Sequence, residues 1–230
     1  MRAYREAPFV RAALMESVFD QNVVIQSIHP YHGDEYPDDG TEEVAHCLGA
    51  KLIKGSWKID SEQLNDAMDT LDCDYFLNLD PDEFLTKADQ VGIMKYCEKF
   101  PWVSAFRVSS MKTYWKDGYV IDPPEPYKPM IVVRKGVHFK GVRDVDCFAP
   151  FLPDEYVLHH FSWVRSDESV KRKLKTYCHA AEVLPGWYQR YWLNWTENDR
   201  DFHPTQPDCY KRAIKTEVPD EFRKYVPTFL

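Results

Sequence analysis

Three short apolar runs, NVVIQSI (22–28), KLIKG (51–55) and YFLNLD (75–80), alternate with helical patterns, and this rhythm limits the fold more than any other feature of the chain. From residue 6 to 20, EAPFVRAALMESVFD puts Phe9, Val10, Ala13, Leu14 and Val18 on one helical face, with Pro8 early, where its missing N–H costs little. A polar loop, HPYHGDEYPDDG, follows the first run. Thr41 is expected to cap the helix TEEVAHCLG, with Glu42 and Glu43 in its first turn and Gly49 as its stop. Asp60 and Gln63 have capping-box spacing at the start of a helix running to about Leu71. Strand, helix, strand, helix, strand with short connections predicts an α/β fold whose three strands are parallel. Ligands of such sheets sit at the carboxyl ends of the strands.

After a helix over about 88–99 the rhythm changes. VSAFRVSS, KTYW, MIVVRKG and YVLHHFSW read as strands joined by turns, one of them the Pro-rich IDPPEPYKP (121–129). A last helix starts near Ser166, and the tail from Pro185, dense in Trp, Tyr and Pro, is expected to wrap the surface. A single domain over 1–230 is the expectation, with a first half to about residue 100, a second over 101–184 and the tail over 185–230.

Charge narrows the functional classes. The chain of 230 residues carries a formal net charge of −8, which argues against nucleic acid as a partner, since phosphate-backbone affinity needs clustered Lys and Arg. The acid is uneven: 20 Asp/Glu against 9 Lys/Arg in residues 1–100, and a slight basic excess in the remainder. Six cysteines, Cys47, Cys73, Cys97, Cys147, Cys178 and Cys209, form no C-x-x-C pair and read as free thiols in a reducing compartment. No apolar run approaches the ~18 residues of a membrane span. The first ten residues, MRAYREAPFV, lack the apolar stretch of a signal peptide, so a cytoplasmic location is expected.

The segment richest in chemistry is Asp80-Pro81-Asp82-Glu83, at the end of the third apolar run. Three carboxylates in four residues repel one another if buried without a cation. Residues i and i+2 of an extended segment project to one side, and Pro81 stiffens the backbone between Asp80 and Asp82. Such a pair can hold Mg²⁺ or Mn²⁺ and leave positions for phosphate oxygens. The alternative is a solvated acidic turn closing a strand.

YFLNLDPDEFL resembles the LDxDE segment of family 2 glycosyltransferases and their relatives of GT-A fold. Further pieces agree in order: REAPFVRAALMES with the Asn-Glu-Ala stretch and first helix, DDGTEEVAHCLGAKLI with the second-helix segment, and GSWKIDSEQLNDAM with the Trp and Gln-x-Asn run. HHFSWVRSDESVKRKL is similar to the C-terminal HYSY segment, and FHPTQPDCY also fits.

The resemblance implies a Rossmann-like mixed sheet flanked by helices, a nucleotide-diphosphate sugar as donor, a divalent cation (Mn²⁺ or Mg²⁺) as cofactor, and a glycan, lipid or protein as acceptor. It places Asp80 near the ribose and the metal, and Asp82 as the principal metal ligand. Glu83 would contact the acceptor or support the site. His160, or else His159, would add a metal or diphosphate contact, the alternative for both being a hydrogen-bonded core histidine. Gln63 and Asn65 would line the nucleotide side, the alternative being amides on a helix surface, and Arg5 and Glu6 would contact substrate. Lys171 and Lys173 would face the diphosphate or lie on a solvated helix face. Trp102, Trp115, Trp163, Trp187 and Trp192 offer flat faces for sugar rings or pack a core.

The chain departs from the family at three places. The strand expected before Arg5-Glu6 is missing or very short. The acidic residue usually ending the second strand has only Asp38 and Asp39 as loose substitutes. GVRDVD (141–146) puts Arg143 and Asp144 where relatives carry His and Glu. Asp144 and Asp146 are therefore the candidate catalytic bases, with Glu83 in reserve. The implied reaction is sugar transfer with inversion. Two rivals are a catalytically degenerate protein of the same fold that binds glycans or nucleotide sugars, and a nucleotidyltransferase. The second usually needs a Gly-rich phosphate loop, which a chain with 9 Gly and no G-x-G lacks.

Overall fold

The β-branched runs and the capped helical stretches form elements close to where their patterns place them. The computed structural model describes all residues, Met1–Leu230. In chain order the main elements are β1 (Arg2–Ala3), α1 (Ala7–Glu16), β2 (Val23–Ser27), α2 (Thr41–Cys47), β3 (Lys51–Gly55), α3 (Asp60–Asp69), β4 (Tyr75–Leu77), β5 (Glu83–Phe84), α4 (Lys87–Lys99) and β6 (Ala105–Arg107). They continue with β7 (Ser110–Trp115), β8 (Tyr119–Asp122), β9 (Met130–Arg134), β10 (Phe139–Lys140), β11 (Asp144–Val145), β12 (Val157–Trp163), α5 (Asp167–Thr176), β13 (Arg212–Lys215), α6 (Asp220–Arg223) and α7 (Val226–Phe229). The chain divides into two units, one made of 1–29, 35–110 and 128–158, the other of 30–34, 111–127 and 159–230. No helix is long and apolar enough to cross a membrane.

In the first unit β1, β2 and β3 form a parallel sheet in that order, with Arg2 opposite Ile25 and all five residues of β2 opposite β3. Strand alternation sends the residues of β2 to two cores. Val24 packs with Val10 and Leu14 of α1 and with Val44 and Ala45 of α2. Val23 and Ile25 pack with Leu64, Ala67 and Met68 of α3 and with Phe76 of β4. The first strand is thus present, at two residues.

The third strand is not parallel to its recorded partner. β4 pairs antiparallel with β9, and β9 pairs antiparallel with β6, so the first unit is mixed α/β. Local pattern carries the strand but not its partner, because β9 is over fifty residues away in the chain.

Two helix starts differ from expectation. α2 follows Gly40, which holds a left-handed φ of 82° suited to glycine, and Thr41 is the first helical residue rather than the cap. Asp39 does the capping: its Oδ1 accepts the Thr41 N–H at 3.1 Å and hydroxyl at 2.6 Å, and its Oδ2 accepts the Ala7 N–H of α1 at 3.0 Å. At α3 Asp60 makes no cap bond, because its carboxylate binds Arg2. The starts of α4 and α5 follow the rule, Thr86 accepting from the Asp89 N–H and Ser166 from the Ser169 N–H.

The second unit carries β13, β8, β7 and β12 side by side, of which β12 contributes His159–Trp163. Ala213 lies opposite Ile121, and Trp115 opposite Tyr119. The tail is not a surface wrap. Trp187, Trp192, Phe202, Tyr210 and Ala213 from it join Trp115 and Trp163 in one core, with Trp115 4.8 Å from Phe202 and Trp163 5.1 Å from Trp187, ring centre to ring centre. Four of the five tryptophans considered for sugar stacking are therefore buried core, whereas Trp102 in the first unit is exposed. Aromatic rings on this scale each bury a large apolar area and need partners, which a surface strap does not provide.

Candidate active site

Asn78, Leu79 and Asp80 lead out of β4 into a turn that closes on itself. The Glu83 N–H donates to the Asp80 carbonyl at 3.0 Å, and the Asp80 N–H donates to Glu83 Oε2 at 2.9 Å. Asp82 and Glu83 are buried, at 6% and 3% exposure, so this is no solvated acidic turn. Burial of that kind requires compensating charge.

Two arginines supply it. Arg2 of β1 donates from Nε and Nη2 to Asp80 Oδ1 at 2.9 and 2.7 Å and from Nη2 to Oδ2 at 2.9 Å, while its Nη1 lies 2.7 Å from Asp60 Oδ2. Arg143 donates from Nη1 to both oxygens of Glu83, at 2.7 and 2.8 Å, and from Nη2 to the Asn78 carbonyl at 2.7 Å. The same Nη1 lies 3.5 Å from Asp80 Oδ2. Arg143 is 2% exposed and holds φ at 50°, a left-handed conformation uncommon outside glycine, at the position where its side chain enters the cluster.

Electrostatics follow from the geometry. Burial pushes the Asp80 carboxyl up, but the charges of Arg2 and Arg143 outweigh it and hold Asp80 below the usual carboxylate range, with Asp82 opposing them. Burial likewise opposes the charge on each arginine, and the facing carboxylates win, raising both. Three carboxylates, Asp60, Asp80 and Glu83, thus share two guanidiniums, with Asp82 close enough to Asp80 to repel it. Two buried donors of the cluster, Asn78 Nδ2 and Arg143 Nε, have no acceptor.

Those observations test the fit of a divalent cation. Carboxylate oxygens are hard donors of the kind that suit Mg²⁺ or Mn²⁺. No group of three or more His, Cys, Asp and Glu is arranged to hold a metal.

The remaining expected residues lie elsewhere or hold other partners. Gln63 is buried and gives its amide N–H to the Ile25 carbonyl at 3.1 Å. Asn65 clamps β10, donating to the Phe139 carbonyl at 3.1 Å and accepting its N–H at 2.8 Å. Arg5 reaches the Tyr36 carbonyl at 3.0 Å and Asp38 at 2.8 Å, and the Glu6 N–H donates to Thr41 Oγ1. All four tie together backbone or loops of the first unit. Asp144 and Asp146 are exposed and ion-paired, with Arg107 and Lys140 respectively.

His159, His160, Lys171 and Lys173 belong to the second unit. His159 is buried, 2.9 Å from the Tyr114 hydroxyl through Nδ1, and burial, aided by Lys112, pushes its pKa down to about 4. His160 is half-buried on β12. Lys173 donates to Ser162 Oγ at 2.7 Å and lies 5.1 Å from the Trp163 ring centre, and Lys171 lies 5.2 Å from that of Tyr188.

Sequence reasoning found the carboxylates and missed their counter-ions. Arg2 sits in a strand too short for any periodicity. Arg143 stood out as a departure from the family pattern, and that replacement was the available signal.

No family model matches the chain, and no curated protein matches it. Solved structures that overlap it include two crystal structures of TarS from S. aureus. One, titled TarS 1-349, is 12% identical with a TM-score of 0.45 and covers 70% of this chain and 59% of its own. The other is 11% identical with a TM-score of 0.47 and covers 84% of this chain and 42% of its own. The chain thus spans less than two thirds of either protein.

Proposed function

We propose that the chain is a glycosyltransferase of GT-A fold that moves a sugar from a nucleotide-diphosphate sugar to an acceptor hydroxyl of a glycan, lipid or protein, with inversion. The observation that carries this reading is the buried turn Asp80–Glu83, ordered by Arg2 and Arg143. The sequence resemblance around that turn supplies the reaction class. Asp82, with Asp80 beside it, would hold Mn²⁺ or Mg²⁺. Bound there, the cation neutralises charge developing on the leaving nucleoside diphosphate.

The chain's own groups have separate tasks. Arg2 keeps Asp80 ionised and oriented. Asn78 Nδ2 and Arg143 Nε, buried donors without acceptors, are suited to oxygens of the bound donor. Glu83 has both oxygens on Arg143 and accepts the Asp80 N–H, so it acts as a positioning residue that holds the turn. Asp144 follows Arg143 directly and is exposed, so it is the base that takes the acceptor proton, with Arg107 as its counter-ion.

A melting-temperature screen of sugar nucleotides with and without Mn²⁺ tests donor binding, since a ligand that binds only the folded chain stabilises it by mass action. Release of nucleoside diphosphate then tests turnover. A second reading, a binding protein that has lost catalysis, draws on the guanidiniums that already occupy the oxygens of Asp80 and Glu83. Binding of a nucleotide sugar without turnover over a broad acceptor panel would establish it in place of the first.

A further inference from the structure

Asp144 stands close to an aromatic side chain that the fold leaves open to solvent. Phe151 is 55% exposed, and Phe148, in the same segment, is 81% exposed. The backbone of Phe151 is fixed to Arg107, at the end of β6, by a parallel bridge. The Arg107 N–H donates to the Pro150 carbonyl at 3.0 Å, and the Arg107 carbonyl accepts the Leu152 N–H at 2.8 Å. Bridge partners send their side chains to one face, so the Phe151 ring and the Arg107 guanidinium stand side by side.

That guanidinium is held at both ends. Its Nη2 donates to Asp144 Oδ1, and its Nη1 donates to the Lys128 carbonyl at 3.4 Å. Asp144 Oδ1 also accepts the Val145 N–H at 3.0 Å. Both bonds of this carboxylate therefore fall on one oxygen, which leaves Oδ2 for the proton of a hydroxyl. One face thus presents an open aromatic ring, a fixed cationic donor and an exposed carboxylate oxygen.

We propose that Phe151 is the platform of the acceptor subsite and that the acceptor is the terminal hexopyranose of a glycan. This rests on the transferase reading, with Asp144 as base. A pyranose carries C–H groups on its ring face and hydroxyls around its edge. Its ring face would lie on Phe151, while edge hydroxyls meet Arg107 and Asp144. An acyl chain could cover the ring, but it would desolvate the charged pair and return no hydrogen bond. A serine or threonine of a peptide brings the hydroxyl without a flat apolar face. In the transfer, the acceptor hydroxyl gives its proton to Asp144 Oδ2 as its oxygen bonds the anomeric carbon of the donor. The nucleoside diphosphate leaves with the electron pair of the bond that breaks.

The test reads binding apart from turnover. In the full chain with isotope-labelled phenylalanine rings, the Phe151 and Phe148 resonances are identified by their loss in Phe151→Leu and Phe148→Leu. The probes are methyl glucoside, methyl galactoside and methyl N-acetylglucosaminide, with decyl phosphate as the lipid comparator. At least one glycoside should move the Phe151 resonance and saturate. Phe151→Leu should weaken that glycoside about tenfold, and Phe151→Trp should restore it. A glycoside that does so supports the platform whether or not sugar nucleotide is consumed, and absence of turnover counts against the transferase reading alone. Where transfer is seen, Phe151→Leu should raise KM for the acceptor with kcat little changed, and an unchanged KM would overturn the platform and leave the transferase standing. The platform is also overturned if no glycoside moves Phe151, if shifts are confined to Phe148, or if decyl phosphate alone moves Phe151, which would assign the face to a lipid.

Discussion

Arg143 and Glu83 face one another with both side chains 3% exposed, and this pair shows how the turn holds its charge. Removing one member of a buried pair leaves the other charge uncompensated. Arg143→Ala should therefore destabilise the chain by about 3–5 kcal/mol, measured by urea unfolding. Replacing both members with apolar residues of similar volume should restore much of the loss, because no lone charge then remains. An Arg143→Ala variant as stable as the parent would remove Arg143 from the account. Asp80, held ionised by its arginines, keeps its charge below the pH at which an ordinary carboxylate takes a proton. At this scale the sequence was legible for acids and not for bases. D-P-D-E is a local pattern, whereas Arg2 and Arg143 reach the turn from 78 and 60 residues away.

Helix ends show the same division between local and distant signals. Thr86 and Ser166 cap α4 and α5 as their spacing predicts, since the bond spans three residues. Asp39 caps two helices at once, and its bond to Ala7 crosses 32 residues. Asp39→Ala should cost about 1–2 kcal/mol, more than a single cap, and melting curves of Asp39→Ala beside Ser166→Ala measure the difference. Equal losses would mean that the Ala7 bond adds nothing. Strands were found where β-branched runs lie, but β4 took an antiparallel partner that its own residues do not specify. The β8–β13 pairing, joining a Pro-rich stretch to the tail, left no periodic trace for the same reason.

For the chain as a whole, the aromatic content legible in the sequence became a second core rather than a ligand surface, and the tail supplies much of it. His203 sits in that tail, its Nδ1 accepting the N–H of Gln206 at 2.9 Å and of Thr205 at 3.2 Å. Burial pushes its pKa down to about 4, with Glu125 acting in the opposite direction. Its folded pKa lies below the unfolded value, so as pH falls below about 6.5 the unfolded chain takes the proton first. Stability from this group is whole above pH 6.5 and falls towards pH 4, by at most about 1.4 kcal/mol per pH unit. The difference in unfolding free energy between the parent and His203→Asn should shrink over that window, and a difference independent of pH would contradict the assignment. Nucleoside diphosphate release from the sugar nucleotide that best stabilises the chain, measured with Mn²⁺ for the parent and for Asp82→Asn, tests whether the Asp80–Glu83 turn is the catalytic centre. Activity should be abolished by a chelator and should fall about a hundredfold or more in Asp82→Asn at a melting temperature that shows the variant folded. An Asp82→Asn rate equal to that of the parent, or parent activity indifferent to the chelator, would contradict it.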